Sequence, residues 1–122
     1  MNVAPASLNG LWQLIRAEYD GEGAPDLVVL KTVLELSRNE YRVQFDGVVS
    51  DRGSFEIAGG TGAILMHGAE GPNAGRTISG LYQRVGGVLR ICYGLGGEVP
   101  GDFKTAPGQN RYLATYRRVE TV

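Results

Sequence analysis

The chain has 122 residues, a net charge of −1, and 43% hydrophobic against 20% charged residues. That describes one domain long enough to bury a core without cross-links, and it lacks the cationic surplus a general nucleic-acid binder needs. One cysteine, Cys92, excludes an internal disulfide; with only one histidine as well, no clustered zinc site can be written; no apolar run approaches the roughly 20 residues of a membrane span.

The 19 glycines against 5 prolines are about twice the usual glycine content. They are dispersed, without a collagen period or a Gly/Ser tract. Dispersed glycine points to tight turns and bent strands, hence an all-β chain. The opening MNVAPASLNG has neither a basic start nor an apolar run, so no secretion signal is expected, and a reducing cytoplasm is the expected compartment.

Helical periodicity is weak throughout, and eight short alternating runs stand out. The first strand is expected at 10–19, GLWQLIRAEY. DGEGAPD breaks it, and 26–31 reads as a helical turn or a loop. The second strand, 32–37, and the third, 40–46, are joined by a two-residue turn at Arg38-Asn39. Asp46-Gly47 is the strongest hairpin signal, since both residue types tolerate positive φ. The fourth strand, 48–57, is expected to place Val49, Gly53, Phe55 and Ile57 on one face and Ser50, Arg52, Ser54 and Glu56 on the other.

AGGTG turns into the fifth strand, 63–68, and the polar loop AEGPNAG leads to the sixth, 76–85. Gly86-Gly87 turns into the seventh, 88–94. A long loop, LGGEVPGDFKTAPGQN, precedes the last strand, 111–118. Eight strands in a meander predict an antiparallel up-and-down barrel, which removes its own edges by closure. The mid-strand glycines Gly53 and Gly80 fit the sharp bends closure demands.

A small barrel needs a plug at one end. The lone tryptophan, Trp12, at the head of the first strand is expected to close that floor, with Arg117 or Arg118 of the last strand stacked on it. The spacing Gly10-Leu11-Trp12 is similar to the opening of lipocalin-like barrels. More broadly, LNGLWQLIRAEYDGEGAP at the start, EGPNAGRTISGLYQRVGGVLRIC at 70–92, PGDFKTAPG at 100–108 and the closing YRR at 116–118 resemble an uncharacterised family of bacterial lipocalin-like domains, a conserved hypothetical domain of planctomycetes. The resemblance spans about Leu8 to Arg118 and implies a calycin-like barrel. It brings no agreed activity, so no catalytic residue is carried over. The chain departs from the family in having Gly86-Gly87 where a charged turn is expected.

Few residues offer chemistry. His67 falls at a strand end and is expected at the surface or rim. Cys92 is expected to be structural and buried. Asp20, Glu22 and Asp26 cluster in the first loop without an EF-hand spacing, so a solvated loop is expected and no metal. GGTG at 59–62 and GLGG at 94–97 lack the ending of a phosphate loop and read as turns. No nucleophile–base pair is visible, so a non-enzymatic protein without a cofactor is expected.

Two functional classes stay open. In the first, the barrel binds a small amphipathic or hydrophobic molecule, with Tyr41, Phe45, Phe55, Tyr82, Phe103 and Tyr116 lining its interior or mouth. The mouth would be ringed by loops 20–30, 69–75 and 94–110. The short strands favour a filled interior over a hollow one. In the second, the barrel is an interaction module whose loop 94–110 offers Val99-Pro100 and Phe103 to a partner. A homodimer through an exposed barrel face would account for strands apolar on both sides.

Overall fold

The computed structural model describes residues 8–58 and 62–119. Eight strands form the barrel wall: β1 (Gly10–Tyr19), β3 (Thr32–Ser37), β4 (Glu40–Phe45), β5 (Val48–Ala58), β6 (Ala63–Glu70), β7 (Thr77–Val85), β8 (Val88–Gly94) and β9 (Arg111–Arg118). A two-residue strand β2 (Glu22–Gly23) folds back on the end of β1, and a short helix α1 (Asp26–Lys31) precedes β3. Every neighbouring pair is antiparallel and in chain order. β1 also pairs with β9, from Trp12↔Arg118 to Tyr19↔Tyr112, which closes the barrel. No helix among the described residues is long and apolar enough to cross a membrane.

The turn chemistry explains the hairpins. Arg38 and Asn39 have φ of 52° and 64°, and Asp46 and Gly47 have 53° and 82°. Paired left-handed residues give the turn twist that matches two right-twisted strands. The Gly-rich turn expected at 58–62 lies partly outside the described residues.

The two ends of the barrel differ in what connects the strands. At one end stand the two-residue turns 38–39 and 86–87. At the other stand α1, the loops 71–76 and 95–110, and the Asp46-Gly47 turn. The tight-turn end is the floor. Trp12 is fully buried there, and its indole N–H donates to the Leu8 carbonyl at 2.9 Å. The guanidinium carbons of Arg118 and Arg84 lie 5.5 and 5.4 Å from the Trp12 ring centroid. Arg117, the other candidate for this stacking, is exposed: it pairs with Gln13 one register step along, where side chains point outward. Arg84 reaches the same ring from β7, by alternation with Gly80 and Tyr82.

Above the floor, Leu14, Leu34, Leu36, Phe55, Ile57, Ile64, Leu89, Ile91 and Ala114 fill the lower barrel. They are inward-facing residues of six strands, and their packing stabilises the barrel by removing apolar surface from water.

Three irregularities shape the wall. β1 shifts register between Leu14 and Arg16, leaving Ile15 as an extra, exposed residue. In β5, Val43 faces Asp51 but Gln44 faces Val49, so Ser50 is extra. That bulge turns Val49 away from the face of Gly53, Phe55 and Ile57, contrary to unbroken alternation; it is 44% exposed. In β6, Ala69 is extra between Gly53↔Gly68 and Arg52↔Glu70.

Gly53 serves close approach, since its φ is unexceptional. A Cβ there would fall on the His67 carbonyl oxygen and 2.8 Å from Cε2 of Tyr41. The missing side chain lets β6 and the Tyr41 ring close over β5.

Candidate functional site

The upper half of the barrel is not filled. It holds a cavity of about 280 Å³, lined from the wall by Tyr19, Tyr41, Val43, Asp51, Met66, Ile78, Tyr93, Tyr112 and Tyr116, and from the rim by Thr32, Asn73 and Leu95. That size is near the lower end for small-molecule sites, about 300–1,000 Å³. The expectation of a filled interior therefore holds for the floor half only. The wall above it is built largely from tyrosines near the loop-bearing ends of the strands, whose rings leave space at the axis.

Five of the six tyrosines of the chain line this space. Alternation puts them there: Tyr93 follows Leu89 and Ile91 on β8, and Tyr112 and Tyr116 flank Ala114 on β9. Tyr93 and Tyr112, paired across β8–β9, stack with centroids 5.9 Å apart and planes 17° from parallel. The Tyr116 hydroxyl donates to the Tyr93 oxygen. Burial raises the pKa of Tyr93, Tyr112 and Tyr116; the hydrogen bond adds to the rise at the donor, Tyr116, and works against it at the acceptor, Tyr93. Tyr41 is pushed up to about 12, first by burial and then by the Asp51 carboxylate, to which its hydroxyl donates at 3.2 Å. Asn73, on the loop after β6, donates its side-chain amide to the other Asp51 oxygen at 2.8 Å. At the rim, the Tyr19 hydroxyl bonds Asn110 Oδ1 at 3.1 Å.

The residues expected to touch a ligand divide into two sets. Tyr41 and Tyr116 line the cavity. Phe55, 1% exposed, and Tyr82 belong to the packed lower half. Phe45 has the inward parity, but it sits at the tip of the β4–β5 hairpin and is 42% exposed. Phe103 lies outside the wall, with the Arg90 guanidinium carbon 4.0 Å from its ring centroid. Arg90 alternates with the inward Leu89 and Ile91, so this contact is on the outer surface.

The loop after β8 therefore folds back against the barrel. Pro100 is buried, Arg111 binds Asp102 at 2.8 Å, and Thr105 accepts the Gly21 N–H at 2.9 Å. Beneath it lie Cys92 and Leu113, both on the outer face and both buried. Burial raises the Cys92 pKa, and the sulfur is 3.9 Å from the Lys104 carbonyl oxygen. His67 is on the outer face of β6, between Glu56 Oε2 at 2.7 Å and Thr77 Oγ1 at 2.9 Å. Asp20 of the acidic first loop accepts the Asn110 N–H at 2.6 Å.

Asp51, Asn73 and Tyr93 were not among the residues expected at the site. Asp51 carries the clearest signal in retrospect: it is a carboxylate at the same parity as Gly53, Phe55 and Ile57. Asn73 carries none, because a loop side chain has no periodicity to betray its direction.

No family model, no curated protein and no solved structure matches this chain.

Proposed function

We propose that this protein is a non-enzymatic barrel that takes one small amphipathic molecule into its tyrosine-lined upper half. The observation that carries the reading is the cavity of about 280 Å³ at the loop-bearing end, with a packed apolar floor below and ring faces and hydroxyls around it. Such a mixture suits a molecule with an apolar body and a polar group. The likeness to lipocalin-like domains agrees with this reading by fold analogy alone. A cytoplasmic setting agrees with a single buried free thiol.

Native mass spectrometry of freshly purified protein tests it, set against the denatured mass. An added mass of small-molecule size that vanishes on denaturation is expected. A bare protein that also gains no mass from a panel of small aromatic and aliphatic compounds would overturn the reading.

A second reading is self-association. It draws on the apolar residues exposed at the loop-bearing end, where Leu27 and Leu30 of α1 are 68% and 69% exposed and Val48 is 68% exposed. It draws less on the loop 94–110, whose Pro100 and Phe103 are turned onto the barrel itself. The subunit count in the same spectrum separates the two readings.

A further inference from the structure

Asp51 is the one charged residue among those lining the cavity. Both its oxygens are held, Oδ1 by the Tyr41 hydroxyl and Oδ2 by the Asn73 amide. Both donors are neutral. A carboxylate has about four acceptor positions, so two hydrogen bonds leave room for a further donor on it. No Lys or Arg forms an ion pair with Asp51 among the described residues; Arg16, Lys31, Arg42, Arg52 and Arg111 pair with other carboxylates. A partly buried negative charge without a positive partner carries a desolvation cost that an incoming cation would offset.

The rest of the lining points the same way. Tyrosine ring faces are electron-rich and attract cations, most strongly where water is displaced. Five such rings surround the space, two of them stacked. The hydroxyls of Tyr41, Tyr93, Tyr112 and Tyr116 are held in the protonated, uncharged form by burial and add no second anion. Each phenol oxygen can accept an N–H while donating its own proton. An anionic headgroup, by contrast, would face Asp51 with no cation in the lining to balance it.

We infer that the ligand of this cavity is a small organic cation, an ammonium group on an apolar or aromatic body, with the nitrogen on Asp51 and the body against Tyr93, Tyr112 and Tyr116. This rests on the reading of the barrel as a ligand site and adds the charge of the occupant.

Isothermal titration of the full chain at neutral pH with three probes tests it: 2-phenylethylamine, 2-phenylethanol and 3-phenylpropionate. The three have the same ring and a similar chain but carry a positive, a neutral and a negative headgroup. The amine is expected to bind at least about tenfold tighter than the alcohol, and the acid weakest of all. Asp51→Asn keeps the shape and removes the charge; it is expected to bring amine and alcohol within about threefold of each other. Should the variant fail to fold by circular dichroism, the comparison on the unaltered protein decides alone.

Equal or tighter binding of the alcohol or the acid to the unaltered protein overturns the cation assignment and leaves the ligand-binding reading standing. So does an undiminished amine preference in folded Asp51→Asn. Absence of binding by all three overturns both.

Discussion

Arg118 stacks on Trp12 and also holds the backbone that leads into it. Its guanidinium carbon is 5.5 Å from the indole centroid, and its Nη2 donates to the Asn9 carbonyl at 2.8 Å. The chain segment that carries Trp12 and the strand that closes the barrel are thus locked by one side chain. Arg118→Ala is expected to cost about 1–3 kcal/mol, from the lost cation–π contact and a carbonyl left short of a donor. Arg117→Ala, one residue away and exposed, is expected to stay within about 0.5 kcal/mol. Urea unfolding of the two variants side by side is the measurement, and equal losses would refute this account of the floor.

Gly53→Ala tests the close approach of β5 and β6. The added methyl group meets the His67 carbonyl and the Tyr41 ring, neither of which can yield without moving a strand or the cavity wall. A loss of about 2 kcal/mol or more is expected, in the range of overpacked sites. Gly47→Ala is the contrast: nothing lies within 4 Å of a Cβ there, so only its φ of 82° opposes the change. A loss of about 1–2 kcal/mol is expected from that strain. Thermal melts would rank the two.

The buried phenols set an alkaline limit on stability. Tyr41 ionises near 12 in the folded chain against 10.0 for the free side chain, so its folded-state pKa is raised. Above pH 10 the unfolded chain releases a proton that the folded chain retains, and stability falls as the pH rises through about 12. Below pH 10 this contribution is fully present. Tyr93, Tyr112 and Tyr116 are shifted in the same direction and add to it. Each held proton is worth up to about 1.4 kcal/mol per pH unit in that window. Phenolate absorbance in the near ultraviolet should rise together with unfolding; ionisation of all six tyrosines near pH 10 in a folded protein would contradict it.

Cys92 should be a slow thiol. It is fully buried beneath the loop after β8, and burial raises its pKa, so both access and thiolate fraction are low. Labelling with Ellman's reagent is expected to be negligible in the native state and to become rapid in denaturant. Fast labelling of the folded protein would mean that loop 95–110 stands open in solution.

Val43→Phe narrows the cavity from β4, opposite Asp51, and leaves the carboxylate and the tyrosine hydroxyls themselves in place. Its ring would grow into open space, so the melting temperature is expected to change by only a few degrees. Binding of 2-phenylethylamine should weaken by about tenfold or more. Unchanged affinity would place the binding site outside the barrel.

The eight strands were legible because their alternation is clean and their turns are chemically marked. Arg38-Asn39 and Asp46-Gly47 punctuate the chain where the backbone turns left-handed. Trp12 as a floor plug was legible from its place at the head of β1. The inward set was only partly so. The extra residue Ser50 reverses the face of Val49, and nothing in the composition of VVSDRG announces a bulge. Phe45 has the right parity but falls beyond the cavity, because parity says which face a residue takes and not how far along the barrel it sits. Phe103 depended on the path of a sixteen-residue loop, for which there is no period to read. The cavity itself arises from three-dimensional spacing among tyrosines distant in the chain, which one-dimensional alternation does not measure.

The seam between β1 and β9 has a practical meaning. Leu8 begins the described chain beneath Trp12, and the Val119 N–H bonds the Leu11 carbonyl at 2.9 Å, so both ends of the barrel's chain emerge beside each other at the floor. A tether attached beyond either one would anchor the molecule by its base and leave the tyrosine-lined opening facing the solution. The same adjacency lets a short bridge join the two ends and new ends be cut at the exposed Asp46-Gly47 turn, which would turn a rigid container into one whose lip carries the attachment point.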